Sequence, residues 1–409
     1  MSPLADQVLP LIRTCSDLHR WSAANAHGRQ MNEAVDILEA AVPTSDPADV
    51  YSVTHRALAS ALKVIARADD SSGIIGDAVR RLLELHPRAA AAAQVPAKKL
   101  VDWMMAFQFE GEVDYFELDP VAYAPALGEA GIAAYRARLE EVRASLPPEP
   151  PGAKRFAGPD RRERWVLEWN DRRLAVLDRD VDAIVRTHAR DRRVAAWLHD
   201  TAKAFLEIDR IDLALDWAKQ ATDFDHGHQS LRAADYWCTL VSTHRPDEEL
   251  AARAYVFRRW PNSTTAAHLY RASGDKWPQY RDEVLTTLAV SPRDAVLFAL
   301  LTLDDVELAW GLGHTLDLQD PYAWSDLVDA YEKVDPLATL PVHTRLVELA
   351  LVDADARSYR VAARRLARMR ALAADTDQAP DVDAFIADLR ETHRRRPRLQ
   401  QELDGAGLP

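Results

Sequence analysis

AAWLHDTAKAFLEIDRIDLALDWAKQATDF, residues 195–224, decides the fold. Its apolar positions recur every three to four residues on both sides of a short polar break, the period of two amphipathic helices. The break holds Asp209 and Arg210, polar residues suited to a tight turn. Ala202, Ala214 and Ala221 stand where two helices must cross closely, because a larger side chain would hold the backbones apart. Phe205 holds the aromatic place on the first helix, so the layout matches a tetratricopeptide hairpin. Looser copies follow toward the C-terminus without a strict period.

Working outward, apolar residues keep helical spacing almost everywhere. Residues 31–41, 50–67, 75–86, 97–107 and 125–144 read as helices before the middle of the chain. Segments beginning at 163, 194, 231, 248, 264, 278, 293, 306, 323, 341, 358 and 382 read as helices after it, with 163–190 taken as one. The turn Asp69-Asp70-Ser71-Ser72-Gly73 combines capping side chains with a glycine, as a pair of antiparallel helices needs. Residues 146–160 carry Pro147, Pro148, Pro150 and Pro151, which no helix can cross. The expected architecture is all-α: a right-handed α-solenoid of degenerate tetratricopeptide-like hairpins. It has an N-terminal helical region (1–145), a proline-rich linker (146–160) and a repeat region (161–409).

Four segments taken together resemble a known family. They are Ala68 through Gly73, Tyr123 through Gly131 (YAPALGEAG), the hairpin above, and Leu389 through Pro397 (LRETHRRRP). In order and spacing they are similar to the helical region of bacterial SWIM zinc-finger proteins and to a related bacterial domain family of unknown function. The finger itself needs C-x-C followed by C-x-H. The chain has only Cys15 and Cys238, neither in such a motif, so the resemblance implies the helical scaffold and no zinc.

The chain has 409 residues, a net charge of −13 and 48% hydrophobic residues. That is enough apolar surface for a core, and the acidic balance disfavours nucleic acid as the general partner. Two cysteines cannot build a disulfide framework, which fits a reducing compartment. No basic, apolar leader opens the chain and no long apolar run follows, so the expected home is the bacterial cytoplasm, away from membranes.

No P-loop, H-E-x-x-H or G-x-S-x-G is present, and no nucleophile pairs with a base at readable spacing. No cofactor, metal or catalytic residue is therefore assigned. Gly311 and Gly313 form G-x-G without a third glycine or a preceding strand. Cys15 and His19, four apart, read as a buried thiol and a surface histidine. His226 and His228 read as a solvated turn closed by Gly227, and Asp375, Asp377, Asp381 and Asp383 as caps. The function this implies is a non-enzymatic scaffold holding a protein or peptide. Trp165 and Trp169, four apart, are the candidates for an aromatic-lined groove, although tryptophans at such spacing mostly fill gaps between hairpins. Tyr115 and Phe116, with Trp103, Phe107 and Phe109, read as core. Arg360, Arg364, Arg365 and Arg368 supply a positive stripe that could meet an acidic partner or, as the alternative function, nucleic acid. A second alternative is an enzyme whose site is scattered over the helices.

Overall fold

The computed structural model describes residues 2–111, 113, 115–148 and 158–408. Every regular element among them is helical, as the absence of any two-residue alternation requires. The chain forms two compact units, 1–224 and 225–409. The first contains α1 (Pro3–Ile12), α2 (Trp21–Ala41), α3 (Pro47–Ile65), α4 (Ile74–Ala92) and α5 (Ala97–Glu110). It continues with α6 (Pro120–Ser145), α7 (Arg161–Leu177), α8 (Val181–Ile184), α9 (Ala195–Glu207) and α10 (Ile211–Asp223). The second contains α11 (His228–His244), α12 (Glu249–Arg259), α13 (Ser263–Ser273), α14 (Arg281–Leu288), α15 (Pro292–Leu301) and α16 (Val306–Thr315). After these come α17 (Pro321–Tyr331), α18 (Leu340–Val352), α19 (Ala356–Ala373), α20 (Ala379–Thr392) and α21 (Pro397–Gly405). No described helix is long and apolar enough to cross a membrane.

The hairpin at 195–224 forms as its pattern requires. Ala202, Ala214 and Ala221 are fully buried at the crossing of α9 and α10, and the rings of Phe205 and Trp217 lie 6.4 Å apart beside them. Asp209 takes a left-handed φ of +58°, and Arg210 N–H donates to the Phe205 carbonyl at 2.9 Å, which closes the end of α9. Aspartate tolerates this conformation better than most side chains. Left-handed aspartates recur at Asp304, Asp317 and Asp375. Asp305, Asp320 and Asp355 cap the helices that follow them. Part of the acidic excess is thus spent on turns and helix ends.

In the first unit, Val8, Ile12, Met31, Leu38, Leu58, Ile75 and Leu82 form the core among α1 to α4. Leu100, Met104, Tyr123, Tyr135, Leu139, Leu167 and Leu174 form a second among α5 to α7. Each such side chain contributes about 1.5–3 kcal/mol on burial. In the second unit successive helices pack on one another, with Phe257, Leu269, Val284 and Phe298 central in its first half. Leu346, Val347, Leu366 and Ile386 are central toward its C-terminus.

Two helix boundaries differ from the sequence pattern. The helix expected at 75–86 continues through Pro87 to Ala92. Ala89 and Ala90, beyond the proline, are buried, and their packing offsets the backbone bond that Pro87 cannot make. The single helix expected at 163–190 is broken. Arg179 turns left-handed at φ +55°, Asp180 caps Ala183 N–H at 3.0 Å, and the chain ends in one π-helical turn, Val185–Ala189. Of the linker expected at 146–160, residues 149–157 lie outside the described residues. On its far side α7 packs directly on α6, with Arg136 bonding Asp178 at 2.7 Å and Arg143 bonding Asp171 at 2.6 Å.

Candidate functional site

After α5 the chain runs through Tyr115-Phe116-Glu117-Leu118-Asp119 without forming a helix. Burial alternates along it. Phe116 and Leu118 are buried at 7% and 1% exposure, while Tyr115 stands 57% exposed and Glu117 points out beside it. That is the facing of an extended segment.

Two tryptophans on α7 pin the segment in place. Trp169 donates its indole N–H to the Leu118 carbonyl at 2.7 Å, and Trp165 donates to Glu117 Oε1 at 3.3 Å. Four-residue spacing puts both rings on one helix face. The Arg172 guanidinium lies 5.5 Å from the Trp169 ring and 6.0 Å from that of Trp165. Behind them Arg173 donates to both oxygens of Asp119 at 2.8 Å, and to Glu207 at 2.6 and 2.8 Å. Both carboxylates raise the affinity of Arg173 for its proton, against the opposing effect of burial. Asp119 also caps α6 through Val121 N–H at 3.0 Å.

Between this segment and α4 lies a cavity of about 280 Å³, lined by Arg80, Glu84, Phe116, Glu117, Tyr123 and Trp169 among others. Tyr115, 57% exposed, lines it, and Trp165, 38% exposed, adjoins it through its bond to Glu117. Arg80 is engaged with Asp77 at 2.6 Å and lies 6.0 Å from the Phe116 ring. Among the described residues Glu84 meets no cation, and Glu117 meets only the Trp165 N–H.

A hydrogen-bonded chain runs inward from Tyr123. Its hydroxyl is 3.0 Å from His86 Nδ1, and His86 Nε2 is 3.0 Å from His55 Nδ1. Trp103 stacks on His86 with ring centroids 4.3 Å apart. Burial drives His86 down to about 3, so the imidazole is neutral, and burial pushes the Tyr123 hydroxyl well above its usual value. A neutral imidazole donates from one nitrogen and accepts at the other, so the chain has a single direction. Aromatic spacing along the chain carries no signal of these histidines, which come from α3 and α4.

The arginines of α19 are largely engaged. Arg368 donates to Glu332 Oε2 at 2.8 Å, and Glu332 Oε1 faces His343 Nε2 at 2.9 Å. Burial disfavours the Glu332 carboxylate charge, but bonds from Arg368 and His343 outweigh it and hold the carboxyl below its usual range. Arg365 reaches His343 Nδ1 at 3.2 Å and the Ser325 hydroxyl. Arg360 lies 3.8 Å from Glu402, and Arg364 is exposed without an ion pair among the described residues.

Cys15 is exposed rather than buried, because residues 13–20 connect α1 to α2 instead of continuing a helix with His19. Asp225 accepts from Gly227 N–H at 2.8 Å and from the Ser230 hydroxyl at 2.7 Å, and the Trp260 indole donates to the His226 carbonyl at 3.1 Å. That turn is organised around backbone groups. Gly313 lies inside α16 under Trp324 and Leu327. Among the described residues no three His, Cys, Asp or Glu side chains gather as a metal site would require.

A comparison with curated proteins returns no match. The model of a family of unknown function, DUF6880, matches residues 6–399. With nearly the whole length matched, the chain belongs to this family of unknown function.

Proposed function

We propose that the chain is a non-enzymatic scaffold that holds a segment of a protein partner in the groove between α4 and residues 115–119. The observation that carries this reading is the rim. Tyr115 is an exposed aromatic ring lining the cavity, Trp165 stands exposed beside it, and the indole hydrogen bonds of Trp165 and Trp169 hold the segment that bears Tyr115. Rigid aromatic side chains lose little entropy on binding and are enriched among residues that dominate interface energies. The non-enzymatic part rests on the sequence, which pairs no nucleophile with a base.

The finer architecture belongs to the same proposal. We read the helices as degenerate tetratricopeptide-like hairpins of a right-handed α-solenoid, related to the helical region of SWIM zinc-finger proteins. The arginine stripe supports a phosphate partner less well, since Arg365 and Arg368 already serve His343, Ser325 and Glu332.

A photo-crosslinking residue at position 115 of the full chain tests the reading, with the same residue at the exposed Tyr322 as control. A partner captured at 115 in host cells, absent at 322 and lost with Trp165→Ala, is the expected result. Equal capture at both positions, or none at 115, refutes it.

A further inference from the structure

We infer that the occupant of this groove is a basic segment, one that places a lysine or arginine side chain between the Tyr115 rim and the carboxylates of Glu84 and Glu117. The inference rests on the peptide-holding reading above and adds the chemistry of the partner.

Three observations point the same way. First, Glu84 on α4 and Glu117 on the extended segment both line the cavity, and neither meets a cation among the described residues. Second, the cations nearby are committed. Arg80 bonds Asp77, and Arg173 is clamped between Asp119 and Glu207. Third, the chain from Glu110 to Asp119, EGEVDYFELD, holds five acidic residues and neither Lys nor Arg. Of these, Glu112 and Asp114 lie outside the described residues, so they enter only as charge.

Carboxylates facing a cavity without a cation favour an incoming one, and they repel an acidic segment before contact is made. The aromatic rim adds to this. The face of a tyrosine or tryptophan ring attracts a guanidinium or ammonium group, and the stem of such a side chain packs on Phe116 and Trp169. The protein already makes such contacts internally, with Arg172 over Trp169 and Arg80 over Phe116. An acidic peptide would leave both glutamates facing like charge. An uncharged one would partly desolvate both without supplying a cation.

The test is selection of random peptides displayed on phage against the full-length chain at low salt, where exposed charges are least screened. Enriched peptides are then measured by fluorescence polarisation. The comparison is between the wild type, Tyr115→Ala, and the double variant Glu84→Lys with Glu117→Lys. All three substituted positions are exposed, and a melting curve matching the wild type shows that each variant folds. The expected result is enrichment of Lys or Arg beside an aliphatic or aromatic residue. Binding should weaken about two- to fivefold in Tyr115→Ala and about tenfold or more on charge reversal. Peptides that lose affinity with Tyr115→Ala but are acidic or neutral, and are indifferent to the charge reversal, overturn the inference and leave the groove standing. If no enriched peptide depends on Tyr115, the peptide-holding reading falls with it.

Discussion

Replacing Tyr135 with phenylalanine removes one oxygen atom and should cost the first unit about 3 kcal/mol. Tyr135 on α6 is fully buried, as are Asn170 on α7 and, nearly so, Gln108 on α5. The three side chains close a triangle. The Tyr135 hydroxyl donates to Asn170 Oδ1 at 2.7 Å and accepts from Gln108 Nε2 at 2.7 Å, while Asn170 Nδ2 donates to Gln108 Oε1 at 2.9 Å. Gln108 Nε2 keeps a second bond, to the Met104 carbonyl at 3.1 Å, and Asn170 Nδ2 keeps one to Val166 at 2.9 Å. Phenylalanine therefore strands one buried acceptor, Asn170 Oδ1, and one buried N–H of Gln108. Each orphaned group costs about 1–3 kcal/mol, and relief of the buried hydroxyl offsets part of the sum. For a unit of this size about 3 kcal/mol corresponds to roughly 10 °C in melting temperature. The assay is thermal unfolding together with hydrogen exchange of peptides from α5 and α7, which isolates the first unit from the second. The companion measurement is the double variant Tyr135→Phe with Asn170→Ala, whose cost should fall short of the sum of the two single changes. A loss under about 0.5 kcal/mol, or strict additivity, refutes the claim that the triangle acts as one unit.

Other consequences follow from single sites. His86 and His188 are buried and held down to about 3 and about 4, so the unfolded chain takes up their protons first. Stability of the first unit should be fully present above about pH 6.5 and fall as pH drops toward 4. The slope should be up to about 1.4 kcal/mol per pH unit for each proton. A melting temperature that stays flat from pH 7 to pH 5 would falsify this. At Gly28 an added Cβ would lie 2.4 Å from Ile74 Cγ2, so Gly28→Ala forces α2 away from the start of α4. It should destabilise by about 1–3 kcal/mol in chemical denaturation, and a neutral result would mean Ile74 moves freely. Cys15 is exposed, whereas Cys238 is buried with its thiol pushed up to about 11. A thiol reagent should label the first rapidly and the second only on unfolding, and equal rates on mass spectrometry would contradict the burial.

The residues of the candidate site were only half legible. Trp165 and Trp169 announce a shared helix face by their spacing. Nothing local says that their indoles bond residues 48 and 51 positions earlier. Tyr115 reads as core from its aromatic neighbours, yet the extended segment turns it outward while Phe116 goes in. On α19 the spacing correctly puts Arg360, Arg364 and Arg368 on one face. Glu332, at the end of α17, and His343, from α18, decide which of the α19 arginines remain available.

By itself the sequence determined the helical class and the 195–224 hairpin, and it marked the capped turn before α4. Each of these depends on residues within a few positions of one another, where helical period, small residues and capping side chains act directly. Only the tertiary structure decided that α4 runs through Pro87 and that the 163–190 segment breaks at Arg179. It also decided that Glu84 and Glu117 face one groove beside α4, with Tyr115 exposed along it. Those outcomes depend on which distant surfaces meet, and burial and charge pairing between them outweigh what any local pattern prefers.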